Sequence, residues 1–405
     1  MVSLTKKISS WPLDAAAIYE LAFSLYFIIT FFLTSTYTDY IPGHLLHVLS
    51  FLPLAMVLFK IVVLEFHHHK RWFTNMLLLA LLVICWRKSG EFILFPMGIF
   101  ILGAHDVPMK RIIYLYFVIG TILLSFAFFT SLMGLTKNLI FYRGAHSDVV
   151  RQSFGIIYPT DFAAHLLFLI LAYCYLYFDK ITWRSYIWFV IASIGVAKFC
   201  DARLGATAII ITIPVVWVGQ MAQRRHWWAK VVVSFYWTLP VLAGYTSVLA
   251  AFLYRPNNKI FEKANNLLSG RLYYGNLAFA RYRLTMFGQR VVENGFGGNA
   301  GHRLANSDNS GVQYFYIDSS FLRIILLYGL IMFVLILIAM TAISWSSIQK
   351  GDFVLASILV IVTISAVVEQ RLIDITYNPF LLALFAQCYS QINHRIGEQS
   401  WKNTH

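Results

Sequence analysis

Long apolar runs constrain this chain more than any other feature. They fall at 14–33, 44–65, 72–87, 90–105, 111–133, 159–178, 185–200, 204–222, 230–254, 319–345, 353–369 and 378–391, twelve in all. About 20 helical residues cross the hydrocarbon core of a bilayer. Lipid offers backbone groups no partners, so only helices and closed barrels span it. These runs are continuous rather than alternating, which excludes the barrel. Charged residues make up 12% of the 405, against about 25% in soluble domains. The expectation is an all-α polytopic membrane bundle of about 12 spans. The third and fourth runs are short enough to be tilted or re-entrant.

One segment breaks the pattern. From Arg255 to Arg323 the chain holds nine Lys/Arg (255, 259, 263, 271, 281, 283, 290, 303, 323) against four acids (262, 293, 308, 318), a net +5. The chain therefore divides into nine spans over 1–254, a loop over 255–318, and three spans with a short tail over 319–405. The run from Ala15 to Leu33 is too long for a signal-peptide core and reads as a retained first helix. With the N-terminus inside, short inner connections carry 14 Lys/Arg and short outer ones eight, so the bias places both termini in the cytoplasm and the long loop outside. Cys85, Cys174, Cys200 and Cys388 show no CxxC pairing and read as buried apolar side chains. His67-His68-His69 stands beside Lys70 and Arg71 without a nearby fourth ligand, so it reads as an interfacial turn. No metal site and no cofactor are expected. Nucleotide-binding motifs are absent, and the inner loops are too short for an ATP-binding domain.

Within the loop, Tyr273, Leu277, Ala280, Leu284 and Phe287 recur at helical spacing. They predict an amphipathic helix over about 270–290 lying on the outer membrane surface, flanked by Arg281, Arg283 and Arg290. Ser269 suits its N-cap, which puts Arg271 in the first turn, against the helix dipole. The same place suits an anion held by free N–H groups and a guanidinium. Contact with anionic lipid headgroups is the alternative for all of these arginines. Asn294 to Gly301 is a glycine-rich turn followed by His302 and Arg303. Tyr314, Phe315 and Tyr316 suit either an interfacial belt or stacking on sugars. Asp318 is placed as the N-cap of the tenth span or as a carboxylate at a cavity rim.

Other outer connections carry charge. Arg203 sits on the Cys200–Gly205 hairpin beside Asp201, and Arg143 and Arg151 lie in the 135–159 loop. Asp161 and His165 form an i,i+4 pair, able to act as an oriented base or as a bundle-facing hydrogen-bonded pair. Glu369, Arg371, Asp374 and Asn378 follow the eleventh run. Arg203, Arg271 and Arg371, with Arg143 or Arg151, are expected to converge on one outward cavity. Converging guanidiniums suit a pyrophosphate headgroup.

The layout resembles Wzy-type polysaccharide polymerases and the related O-antigen ligases, over roughly residues 190–390. The residues that carry the resemblance are the DARLGA hairpin around Arg203, Ser269-Gly270-Arg271 running to Phe287-Gly288-Gln289, the glycine-rich run, Asp318-Ser319-Ser320-Phe321 leading to Tyr328-Gly329-Leu330, and Glu369 with Asn378. The resemblance implies a metal-independent GT-C-type glycosyltransferase of the bacterial cytoplasmic membrane, acting on its outer face in O-antigen, exopolysaccharide or capsule synthesis. Its substrates would be undecaprenyl-pyrophosphate-linked oligosaccharides. Arg203, Arg271, Arg371, Arg283 and Arg290 would hold the pyrophosphate, and Tyr314 and Tyr316 the sugars. Asp318, His302 or Asp161 would be the base. Membrane lipids, a flippase and a chain-length regulator are the implied partners, with no nucleic acid. A ligase with the same chemistry is one alternative and a lipid-linked-sugar transporter another. Charges at the rim, with only Pro214 and Pro240 inside spans, weigh against transport.

Overall fold

The computed structural model describes residues 14–66, 69–142, 149–295, 297, 298, 301 and 314–388. Thirteen helices account for most of the described chain. In order they are α1 (Ala15–Leu33), α2 (Gly43–Leu64), α3 (His69–Ser89), α4 (Leu94–Gly103), α5 (Met109–Leu132), α6 (Pro159–Lys180), α7 (Trp183–Gly195), α8 (Arg203–Gln223), α9 (Trp227–Leu253), α10 (Lys259–Leu267), α11 (Arg271–Arg281), α12 (Ser320–Gln349) and α13 (Val354–Val368). Seven of them, α1, α2, α5, α6, α8, α9 and α12, are long and apolar enough to cross a membrane. The protein is an all-α membrane-embedded bundle.

Burial separates the helices by depth in the bundle. α1, α2, α5, α8 and α9 leave broad apolar faces exposed, including Phe126, Phe129, Trp217 and Phe252, as lipid-facing helices do. α13 is buried almost all round, only Ile364 and Val367 being partly open. A helix apolar on every side belongs at the centre. Its 15 residues are therefore enclosed by protein, chiefly α8, α9 and α12.

Three expectations change. The twelfth run, 378–391, holds a five-residue 3-10 turn, Phe380–Leu384, rather than a span among its described residues. Asn378 Oδ1 accepts from Phe380 N at 3.1 Å, and the chain then pairs with the segment before α5 through Gln387 N to Val107 O at 2.8 Å. Phe380, Leu381 and Leu382 are apolar because protein encloses them. The 135–159 loop contains a hairpin, Ile140–Tyr142 paired antiparallel with Val150–Gln152.

The third change concerns the long loop. α11 ends at Arg281, not near 290, and Tyr282 is extended. Its buried face is Leu272, Gly275 and Ala278, packed on α9, while Tyr273, Leu284 and Phe287 are exposed. A Cβ on Gly275 would lie 2.8 Å from that of Ala251, so the missing side chain is what admits α9 so closely. Beyond Arg281 the backbone bonds to the broken start of α12: Gln289 N donates to Leu327 O (3.0 Å) and Leu330 N to Thr285 O (2.9 Å). These partners replace the helical ones that the periodicity predicts.

Gly288 and Gly329 meet at this joint with φ of +92° and +91°. A Cβ on Gly329 would stand 2.4 Å from Met286 O and 2.5 Å from Gly288 N. Backbone cannot yield as a side-chain tip does. Gly329→Ala is expected to cost about 1–3 kcal/mol in conformation alone, with the clash added. Gly134→Ala, at φ +72° with nothing within 4 Å of its Cβ, incurs only the conformational part. The yield of monodisperse protein extracted from membranes should fall far more for Gly329→Ala; equal yields would refute the joint.

Candidate functional site

Five separate stretches enclose one polar cavity of about 200 Å³ at the end of the bundle where α6 and α8 begin and α13 finishes. Arg151 and Tyr158 reach it from the hairpin loop, Asp201 and Arg203 from the α7–α8 turn, Ser269 and Arg271 from the start of α11, Tyr314 and Asp318 from the approach to α12, and Glu369 from the end of α13.

Local structure explains each placement. Asp201 is left-handed, with φ +45°, between a π-turn and α8, and Arg203 Nε donates to its carboxylate at 3.1 Å. Arg203 stays 64% exposed in its side chain, so its remaining N–H groups stay accessible. Arg151 donates to Cys200 O and to the Tyr158 hydroxyl, both at 3.3 Å, which ties the hairpin to the α7–α8 turn.

Arg271 is held on three sides. Its Nε donates to Val368 O at 3.1 Å, one amino group donates to Ser269 O at 2.9 Å, and another lies 3.3 Å from Asp318. The sequence offers no structural reason for arginine here. The structure gives one: the guanidinium meets the unpaired carbonyl end of α13, where a cation is favourable. A guanidinium has five N–H groups, so these contacts leave two for a ligand.

The helix start itself is not an anion site. Gly270, at φ +90°, is the N-cap in place of Ser269. Arg271 N donates to Leu268 O at 3.3 Å and Tyr273 N to the Asn265 side chain at 3.0 Å. α10 thus takes up donors that would otherwise point at a phosphate.

Asp318 pairs with Arg271, and Ser319 takes the N-cap position of α12. Burial raises the Asp318 carboxyl above the usual carboxylate range, and Arg271 beside it pulls it back. Ser320 stitches α12 to α13, its N and Oγ both donating to Glu369 O, and Oγ accepting from Leu372 N at 3.1 Å.

Arg203, Arg271, Asp318 and Tyr314 thus come together, and Arg151 joins them, while Arg143 lies outside the described residues. Other expected site residues are elsewhere. Arg371 ion-pairs with Asp161 and, at 3.8 Å, with Asp374, and it lies 4.4 Å over the Tyr377 ring. Both carboxylates pair with it, and neither Arg371 nor Asp161 lines the cavity. His165 turns from Asp161 to Thr34, 3.1 Å away, and stacks on Tyr377. Tyr316 bonds Gln370 and packs 5.2 Å from Arg323, itself paired with Glu293. It is part of a structural clasp. Arg283 and Arg290 are exposed on the extended stretch beyond α11. His302 lies outside the described residues.

Glu369, which the sequence marks only through the resemblance and without a role, also lines the cavity. An acid closing a helix opposes the dipole, and that broken local rule was the available signal. Burial lifts its carboxyl to about 7, with Arg271 and Arg371 pulling down and Asp318 and Asp161 pushing up.

A second cavity, about 420 Å³ and mostly apolar, lies between α5, α6 and α7, lined among others by Leu124, Leu169, Ile170 and Phe189. Comparison of the chain with protein-family models, curated proteins and solved structures finds no match.

Proposed function

We propose that this protein is a membrane glycosyltransferase that polymerises polyprenyl-pyrophosphate-linked oligosaccharide repeat units, as the resemblance to Wzy-type polymerases implies. In this reading the bundle is of GT-C type and sits in the bacterial cytoplasmic membrane with its cavity on the outer face. The observation that carries the proposal is the convergence of Arg151, Arg203 and Arg271 on one cavity from three distant stretches. Fixed guanidiniums suit a pyrophosphate, and they stabilise the charge that develops as it leaves. Tyr314 offers a face for a sugar.

The test is direct. Lipid-linked repeat units extracted from cells deleted for this protein are incubated with the purified protein, and the products are sized. A ladder of lengths is the expected result. Unchanged single repeats would refute polymerisation, and transfer to a different acceptor would favour a ligase.

A further inference from the structure

Four acids, Asp161, Asp201, Asp318 and Glu369, lie in or beside the cavity. Three are paired with arginine: Asp161 with Arg371, Asp201 with Arg203 and Asp318 with Arg271. A carboxylate held by a guanidinium is a poor proton acceptor, because taking up a proton breaks the ion pair. Glu369 differs. Among the described residues its carboxylate takes part in no ion pair or hydrogen bond, yet it lines the cavity.

Its backbone is fixed on every side. Glu369 N donates to Ser365 O at 2.7 Å, Ser320 N donates to its carbonyl at 3.2 Å, and Arg271 holds the preceding carbonyl at Val368. The carboxylate is thus presented from a rigid base, and its own atoms remain uncommitted. The charged and titratable groups around it are Arg271, Asp318, Arg371 and Asp161, with Arg151, Arg203, Asp201, Tyr158 and Tyr314 completing the cavity wall.

We propose that Glu369 is the general base of the cavity, taking the proton from the acceptor sugar's hydroxyl. The assignment rests on the polymerase reading and deepens it. In the step, the hydroxyl O–H bond breaks and its proton moves to a Glu369 Oε. The hydroxyl oxygen forms a bond to the anomeric carbon of the donor. The bond from that carbon to the pyrophosphate oxygen breaks, and its electron pair leaves with the polyprenyl pyrophosphate between Arg203 and Arg271. Glu369 then returns the proton to solvent or to the departing phosphate. Asp318 keeps its ion pair and positions Arg271.

A base must be ionised to act, so kcat/KM should rise with pH through about 7 in the wild type. Glu369→Gln is expected to lower kcat at least about 100-fold and to remove that limb, and Glu369→Asp to restore part of the rate. Donor binding, measured with the extracted lipid-linked repeat, should stay within a few-fold of wild type in Glu369→Gln. Wild-type-like turnover by Glu369→Gln would overturn the assignment. So would loss of donor binding in step with turnover, which marks a group that holds the substrate. If the wild type itself fails to extend the repeat, the polymerase reading falls, a result distinct from either.

Discussion

Arg203→Ala is expected to reduce polymer formation at least about 100-fold while leaving the amount of inserted protein unchanged. The magnitude is that of removing one preorganised donor aimed at the charge that develops on the leaving group, about 2.7–4 kcal/mol. Arg203 separates function from folding well, because its side chain is 64% exposed and its ion-pair partner is its near neighbour Asp201. Arg271→Ala should abolish polymer as well, but it also removes the ties to Val368 and Ser269. Arg271→Lys is the sharper variant: it keeps the charge without the planar fork, and it should fold yet remain impaired. Arg283→Ala and Arg290→Ala should behave like wild type, since both residues lie off the cavity. Glycan ladders on gels, beside immunoblots of membrane fractions, decide the matter. Long polymer persisting in both alanine variants at 203 and 271 would end the pyrophosphate assignment.

The second large effect is on stability. Asp161 is 4% exposed, and its partner Arg371 comes from a turn 210 residues later. Breaking a buried pair from one side leaves an uncompensated charge, typically at about 3–5 kcal/mol. Asp161→Ala should therefore lower the thermal midpoint in detergent by several degrees, as should Arg371→Ala. Replacing both with apolar residues of similar volume, Asp161→Leu with Arg371→Met, should recover part of the loss, the remainder reflecting Asp374, which loses its contact with Arg371. A double variant no better than the sum of the singles would show that the two residues act independently. Neither residue lines the cavity, so on the polymerase reading the recovered protein should retain some activity.

The sequence located the candidate site more closely than its detail. Arg203 and Arg271 stood out by position and do share a cavity. Arg271 was singled out for having no structural purpose, yet it grips the end of α13, a helix end that no local pattern reveals. Asp161 looked like a base beside His165, and Arg371 like one of the converging phosphate ligands, but they pair with one another. Nothing in one sequence reports which of several acids an arginine will choose. The apolar stripe over 273–287 pointed to the wrong face because Gly275 and Ala278 count as weakly apolar, although close helix packing selects small side chains. Among its described residues the last apolar run forms no span, for a related reason: hydropathy measures distance from water and does not distinguish lipid from protein.

The Asp161–Arg371 pair also sets a schedule for synthesis. A ribosome adding about 5–20 residues per second needs roughly 10–40 s to travel the 210 positions between them. Throughout that interval α6 has entered the membrane with a carboxylate in its first turn and no guanidinium to meet it. The ion pair at the head of that helix forms only after the turn beyond α13 has been made. A chain stopped short of residue 371 therefore lacks the guanidinium that meets Asp161 at the head of α6.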